Sequence, residues 1–273
     1  MQFADRLNNV ETSAIRELFK LLGKPGIISF AGGFPDPAMF DVEGIREAVN
    51  AALTQEAGAT LQYGATEGHG PLREQLANFM ASKGCQNVAA DNLIVTTGSQ
   101  QALDLLGKTL ISPGDKVIVE GPTFLATIQC FRLYGAQLIS APIDGDGVQT
   151  DRLEALIAEH KPKFVYLIPT FGNPSGGLLS LERRKRVLEL AVKYQTVIVE
   201  DDPYGDLYFN AAPPPSLLAL SAGVPGSREL LVHCGSLSKV LSPGLRVGWM
   251  IAEPELLAKA TMCKQFSDAH TST

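Results

Sequence analysis

The segment running from Gly235-Ser236-Leu237-Ser238-Lys239 to Arg246-Val247-Gly248-Trp249 sets a lysine directly behind two serine hydroxyls and seven residues ahead of an arginine. Its glycines and Pro243 interrupt any regular helix and impose tight turns. A lysine held in this way forms a Schiff base with an aldehyde, while hydroxyls and a guanidinium bind a phosphate. Ser236 and Lys239 also fit the Ser-x-x-Lys pattern of penicillin-binding serine enzymes. That chemistry needs a Lys-Thr-Gly strand and a Ser-Asp-Asn element too, and neither tripeptide occurs.

Three further loops carry complementary groups. Thr96-Thr97-Gly98-Ser99-Gln100-Gln101 opens a helix, whose amide groups and positive dipole end make a phosphate site; the alternative is an ordinary serine N-cap. Val197-Ile198-Val199-Glu200-Asp201-Asp202-Pro203-Tyr204 puts carboxylates at a strand end. Alternation sets Asp201 on the Val197/Val199 face and Asp202 on the other, so only one of them faces a ligand. Glu200 and Asp202 fit a solvated acidic turn. In Pro169-Thr170-Phe171-Gly172-Asn173-Pro174, the Asn173 amide is placed to donate to a phenolate oxygen, as is Tyr204; a plain Asn-Pro turn is the simpler reading. Phe124 is placed either to stack on an aromatic ring or to pack in the core. Pyridoxal 5'-phosphate carries the aldehyde, the phosphate, a pyridine nitrogen that a carboxylate keeps protonated, and the phenolate. Gly107-Lys108-Thr109 resembles the end of a phosphate-binding loop for ATP, but it lies within a helical pattern and Ala102 stands where a glycine belongs.

The elements that must position these loops alternate. Leu72, Leu76, Phe79 and Met80 keep helical spacing, as do Ala102, Leu103, Leu106 and Leu110. Helices are also expected over 124–134, 151–160 and 181–193. Strands are expected at 93–96, 117–119, 138–139, 164–168, 197–199 and 230–234, the last leading into the lysine segment. This order predicts an α/β fold with a mostly parallel sheet, whose ligands bind at the C-terminal strand ends. Pro213-Pro214-Pro215 reads as a surface turn. The 273 residues, 45% hydrophobic and 19% charged, suffice for one large domain, or one domain and part of a second. A net charge of -6 argues against nucleic acid or an anionic membrane as partner. Cys85, Cys130, Cys234 and Cys263 are widely separated, which favours reduced thiols over disulfides or a metal site. With no signal-peptide pattern and no apolar run of membrane-spanning length, a cytoplasmic location is expected.

Together these segments resemble fold-type I pyridoxal phosphate enzymes of the class I/II aminotransferases, in particular the 2-aminoadipate/aromatic branch. The pattern includes Ile27-Ile28-Ser29-Phe30-Ala31-Gly32-Gly33-Phe34-Pro35-Asp36-Pro37, Leu61-Gln62-Tyr63-Gly64-Ala65-Thr66-Glu67-Gly68 and Thr97-Gly98-Ser99-Gln100-Gln101-Ala102-Leu103-Asp104. The resemblance implies a seven-stranded-type large domain with helices on both faces, over residues 41–273, after an N-terminal arm and small-domain segment at 1–40. It implies transfer of an amino group from an amino acid to a 2-oxo acid, 2-oxoglutarate being expected. Lys239 matches the Schiff-base lysine and proton shuttle. Asp201 matches the pyridinium partner, because the Asp-x-x-Tyr spacing selects it with Tyr204 over Asp202. Asn173 and Tyr204 match the phenolate ligands, and Gly98, Ser99, Gln100, Ser236, Ser238 and Arg246 the phosphate cup. Phe124 takes the place of the stacking aromatic. Tyr63 matches a tyrosine that reaches the neighbouring subunit's phosphate, which implies a homodimer. Gly33 and Arg16 are expected on the substrate side; a solvated helix arginine is the alternative for Arg16. No metal is implied.

Two departures from the family pattern stand out. Gly172 replaces a common glutamine, and the C-terminal small domain, with the arginine that clamps the substrate carboxylate, has no counterpart before Thr273. The sequence is therefore expected to be a C-terminally truncated piece. Two other readings are an inactive fragment and the effector module of a transcription regulator. The regulator needs a DNA-binding domain, for which the roughly 30 residues before Phe30 are too few.

Overall fold

Runs of apolar and β-branched residues closed by glycine, proline or aspartate become buried strands here, and segments of helical period pack over both faces of the sheet they build. The computed structural model describes residues 1–7 and 32–272. Helices α1 (Val42–Gln55), α2 (Ala57–Thr60) and α3 (Gly70–Ser82) lead to strand β1 (Leu93–Thr97) and helix α4 (Ser99–Leu110). Next come β2 (Lys116–Gly121), α5 (Leu125–Leu133), β3 (Gln137–Asp144), β4 (Gly147–Val148), α6 (Thr150–His160) and β5 (Phe164–Leu167). The chain continues through α7 (Leu181–Tyr194), β6 (Val197–Asp202), α8 (Leu217–Leu220), β7 (Leu231–Ser236), β8 (Val247–Ile251) and α9 (Pro254–Asp268).

The strands form one sheet in the order β1-β8-β7-β6-β5-β2-β3-β4. Pairs β2/β3, β2/β5, β5/β6 and β6/β7 are parallel; β1/β8, β7/β8 and the short β3/β4 pair are antiparallel. Two reversals at β8 leave β1 pointing the same way as β7. The C-terminal ends of β1, β2, β5, β6 and β7 therefore open on one edge, where an open α/β sheet binds ligands.

Each face of the sheet has its own core. Leu76, Met80, Ile118, Val165, Leu188, Ile198 and Trp249 form one cluster, with α3, α6, α7 and α8. Leu103, Leu106, Val117, Phe131, Tyr166, Val199 and Met250 form the other, with α4, α5 and α9. Fully buried Phe131 meets Phe164 and Tyr166 edge-on at 5.2 and 5.8 Å. Burying such a ring stabilises by about 1.5–3 kcal/mol, which fixes α5 against β5. Helices α1 and α2 bury no side chain.

Strand β8 begins within the segment whose glycines and proline were read as turns, and β4, α1, α2, α8 and α9 also add to the elements read from the pattern. All four cysteines are free. Among the described residues no helix is long and apolar enough to cross a membrane.

Candidate functional site

The loops on the shared strand edge enclose a cavity of about 690 Å³. Gly33, Ser99, Phe124, Asn173, Asp201, Tyr204, Ser236, Ser238 and Lys239 all line it, so nine residues picked from sequence converge on one space. Lys239 follows the end of β7 and donates from Nζ to the Gly33 carbonyl at 2.8 Å. Burial holds its ammonium below the usual lysine value, which favours the neutral, nucleophilic amine.

Asp201 sits near the end of β6, on the face shared with Val199, as alternation requires. It is 3% exposed, and its Oδ2 accepts a hydrogen bond from the Tyr166 hydroxyl at 2.6 Å. Its Oδ1 is buried without a hydrogen-bond partner. Burial pushes the carboxyl up to about 6, against the lowering effect of Tyr166. The Asn173 amide donates to the Tyr204 hydroxyl oxygen at 3.1 Å, tying the loop after β5 to the loop after β6. Burial raises the Tyr204 phenol.

Ser236 and Ser238 line the cavity at the end of β7, whereas Arg246, just before β8, and Gly98, ahead of α4, stand together outside its lining. Ser236 Oγ donates to Ser238 Oγ at 2.9 Å and accepts from the Ser238 amide at 3.1 Å. Arg246, in a left-handed conformation (φ 54°), donates to the Thr97 carbonyl at 3.2 Å. This approach depends on two glycines. Gly98 has φ +75°, and a Cβ there would lie 2.3 Å from an Arg246 guanidinium nitrogen. A Cβ on Gly248 would lie 2.7 Å from the Gly98 carbonyl carbon and the Ser99 amide nitrogen. Helix α4 is N-capped by Gly98 with no side-chain cap bond, so Ser99 is its first residue and not the ordinary serine cap.

The remaining expected residues lie elsewhere. Gln100 is exposed and lines no part of the cavity; its neighbour Gln101 accepts from the Thr97 amide at 2.8 Å and donates to Asp268 at 2.6 Å. Tyr63 is 85% exposed, and its ring meets His270 edge-on at 5.8 Å in a separate recess. Arg16 lies outside the described residues.

The solvated-turn reading of Glu200 is wrong. Glu200 is fully buried; it accepts from the Leu217 and Leu218 amides at 2.6 and 3.1 Å and lies 2.9 Å from His233 Nδ1. Its three partners come from α8 and β7, which no local pattern could supply. Asp202 is half-buried and accepts from the Gly205 amide at 3.0 Å. Sequence reasoning also passed over Tyr166 and Arg184. Arg184, fully buried, donates to the Leu179 and Pro169 carbonyls at 2.8 Å each and to Thr170 Oγ1 at 2.9 Å, anchoring the start of the Asn173 loop. A tyrosine amid the apolar run Phe164–Ile168 was the available signal, since a buried phenol needs a partner.

Residues 28–272 match the family described as aminotransferase class I and II. The chain belongs to that family. The 2-aminoadipate transaminase of Thermus thermophilus is 44% identical over 271 residues, 98% of this aminotransferase chain and 66% of that protein. Aromatic-amino-acid aminotransferase 1 of Thermococcus litoralis is 41% identical over 276 residues, 99% of this chain and 65% of that protein. The crystal structure of LysN, an α-aminoadipate aminotransferase of Thermus thermophilus complexed with N-(5'-phosphopyridoxyl)-L-leucine, superposes with a TM-score of 0.89 at 43% identity. That match covers 99% of this chain and 66% of LysN. The branch and the fold type read from the motifs are thus borne out. This aminotransferase chain spans about two thirds of the length of these relatives.

Proposed function

We propose that the chain is the coenzyme-binding part of a pyridoxal 5'-phosphate-dependent aminotransferase, moving an amino group from an amino acid to a 2-oxo acid such as 2-oxoglutarate. The observation that carries this reading is the pairing, across one cavity, of a partly desolvated lysine with a buried carboxylate that has an open oxygen. An orphaned, buried acceptor such as Asp201 Oδ1 is costly unless a ligand donor meets it, and a protonated pyridine nitrogen is such a donor.

Bound there, the coenzyme supplies an electron sink for charge developing at the substrate Cα. Asp201 holds its ring nitrogen protonated. The Asn173 amide and the Tyr204 hydroxyl would hold its phenolate oxygen, and Phe124 would offer its ring for stacking. Ser99, Ser236, Ser238 and Arg246 would receive the phosphate, with Gly98 keeping the backbone close; Gln100 follows Ser99 in the first turn of α4. Lys239 would anchor the coenzyme through Nζ and, once an incoming amino group has displaced it, its free amine would take and hold the proton at the substrate Cα. Its bond to the Gly33 carbonyl supports a role for that backbone beside the substrate. Arg16 would pair with a substrate side-chain carboxylate.

The same reading takes residues 1–40 as arm and small-domain segment and 41–273 as large domain; the buried apolar core runs from Leu76 onward. A homodimer in which Tyr63 reaches the neighbouring site is supported by the exposure of Tyr63, Leu61, Leu53 and Val49. The free cysteines and acidic balance support a cytoplasmic location. The direct test is to add pyridoxal phosphate, reduce with borohydride and map the label. The label is expected on Lys239 and absent in Lys239→Ala; labelling at another residue refutes the assignment.

A further inference from the structure

We propose that Tyr166, itself held by Thr127, is the positioning residue that fixes the Asp201 carboxylate and reserves its open oxygen for the pyridine nitrogen of the coenzyme. The inference rests on the pyridoxal phosphate reading of the cavity. Tyr166 is fully buried on β5, in register with Val199 and on the same sheet face as Asp201. Thr127 Oγ1, from α5, donates to the Tyr166 oxygen at 3.1 Å, and the Tyr166 hydroxyl donates to Asp201 Oδ2 at 2.6 Å. A phenol has a single proton to give. With its oxygen occupied by Thr127, that proton is directed at Oδ2, and Oδ1 is left buried without a partner on a residue that lines the cavity.

The arrangement matters because a lone carboxylate turns freely about its terminal torsion, whereas an oxygen held in advance receives a cation without reorganising. Charge around Asp201 makes the phenol decisive. Burial opposes its ionisation first; Tyr166 favours ionisation, Asp202 on the same strand opposes it, and His233 on β7 favours it. Cys234 on β7 and Tyr204 in the following loop also feel the Asp201 charge. Removing the Tyr166 proton therefore drives Asp201 toward the neutral acid, which no longer keeps a pyridine nitrogen protonated. Tyr166 itself stays protonated, because burial and then Asp201 hold it well above the usual tyrosine value.

The test uses the full chain loaded with pyridoxal phosphate carrying ¹⁵N in the ring, comparing wild type, Tyr166→Phe and Thr127→Val. Tyr166→Phe keeps the ring packed on Phe131 and deletes only the hydroxyl. The ¹⁵N resonance reports ring-nitrogen protonation directly, a readout that packing alone does not move. In Tyr166→Phe the nitrogen is expected to lose its proton at least about one pH unit lower than in wild type, and the coenzyme to bind about 10- to 100-fold more weakly, the range for a hydrogen bond to a charged group. Thr127→Val is expected to shift the titration the same way by less, and it decides the matter if Tyr166→Phe does not fold. A folded Tyr166→Phe with the wild-type ¹⁵N titration overturns the inference. Borohydride trapping separates the two levels: wild type that fails to trap on Lys239 overturns the coenzyme reading and this inference together. Trapping in both proteins with unchanged titrations overturns the Tyr166 role alone.

Discussion

Glu200→Ala removes a buried carboxylate from β6, next to Asp201 but on the opposite face of the sheet. Burial by itself would raise the Glu200 carboxyl and lower the His233 imidazole. Their 2.9 Å contact reverses both, leaving Glu200 below 4.5 and His233 above 6.5. Breaking a buried pair of this kind costs about 3–5 kcal/mol. The Leu217 and Leu218 amides lose their acceptor as well, at about 1–3 kcal/mol each if they stay dry. These terms overlap, because His233 sheds its proton once the carboxylate is gone and water enters the vacated space. We expect a loss of about 4 kcal/mol at pH 6.

The pH dependence has a definite sign. A raised His233 stabilises fully below 6.5, and that part is lost as pH rises through its folded value; a lowered Glu200 stabilises above 4.5, and that part is lost as pH falls through its folded value. The pair is therefore worth most between 4.5 and 6.5. At pH 9 the loss in Glu200→Ala is expected to shrink to about 2 kcal/mol, the share of the amide acceptors. Urea unfolding at pH 6 and pH 9, extrapolated to water, measures both values. A loss under about 1 kcal/mol at pH 6, or one identical at the two pH values, would refute the reasoning.

Two other perturbations test how the loops are held. Arg184→Met strands the carbonyls of Pro169 and Leu179, so a loss of about 2–4 kcal/mol in denaturant unfolding is expected, together with weaker retention of pyridoxal phosphate. Arg184→Lys should not restore it, since a point ammonium does not span three acceptors; full rescue by lysine would contradict the account. Gly98→Ala meets strain at positive φ and the mobile end of Arg246, and is expected to cost about 1–2 kcal/mol. Gly248→Ala meets backbone at 2.7 Å and is expected to be the more destabilising of the two. Calorimetric binding of pyridoxal phosphate against unphosphorylated pyridoxal completes this test. Gly98→Ala should weaken only the former, and equal weakening of both would remove the phosphate role from this turn.

Much of the site was readable in one dimension because its residues sit where strands end. Strands β1, β6 and β7 run into turns rich in glycine, proline and serine, so Gly98, Asp201 and Lys239 stand out beside apolar runs. Period-two alternation separated Asp201 from Asp202 correctly. Strand β8 escaped notice because Val247-Gly248-Trp249-Met250-Ile251 carries no polar–apolar alternation, and its glycine reads as a break. Its two antiparallel pairings also turn β1 back into line with the parallel strands, a consequence of order in the sheet and not of composition.

By itself the sequence supplied the groups that the proposed chemistry calls for: a lysine for an aldehyde, a carboxylate for a pyridine nitrogen, an amide and a phenol for a phenolate, and hydroxyls and an arginine for a phosphate. Only the tertiary structure decided which oxygen of Asp201 stays unpartnered, that Tyr166, backed by Thr127, holds the other, and that Glu200 is a buried ion-pair partner instead of a solvated turn residue. The physical reason is range. Turn and strand preferences act over a few neighbouring residues, whereas Tyr166 and Asp201 are 35 positions apart, and Glu200 and His233 are 33. Such pairs exist only once the strands are laid side by side, and in a dry interior their energies depend on that neighbourhood.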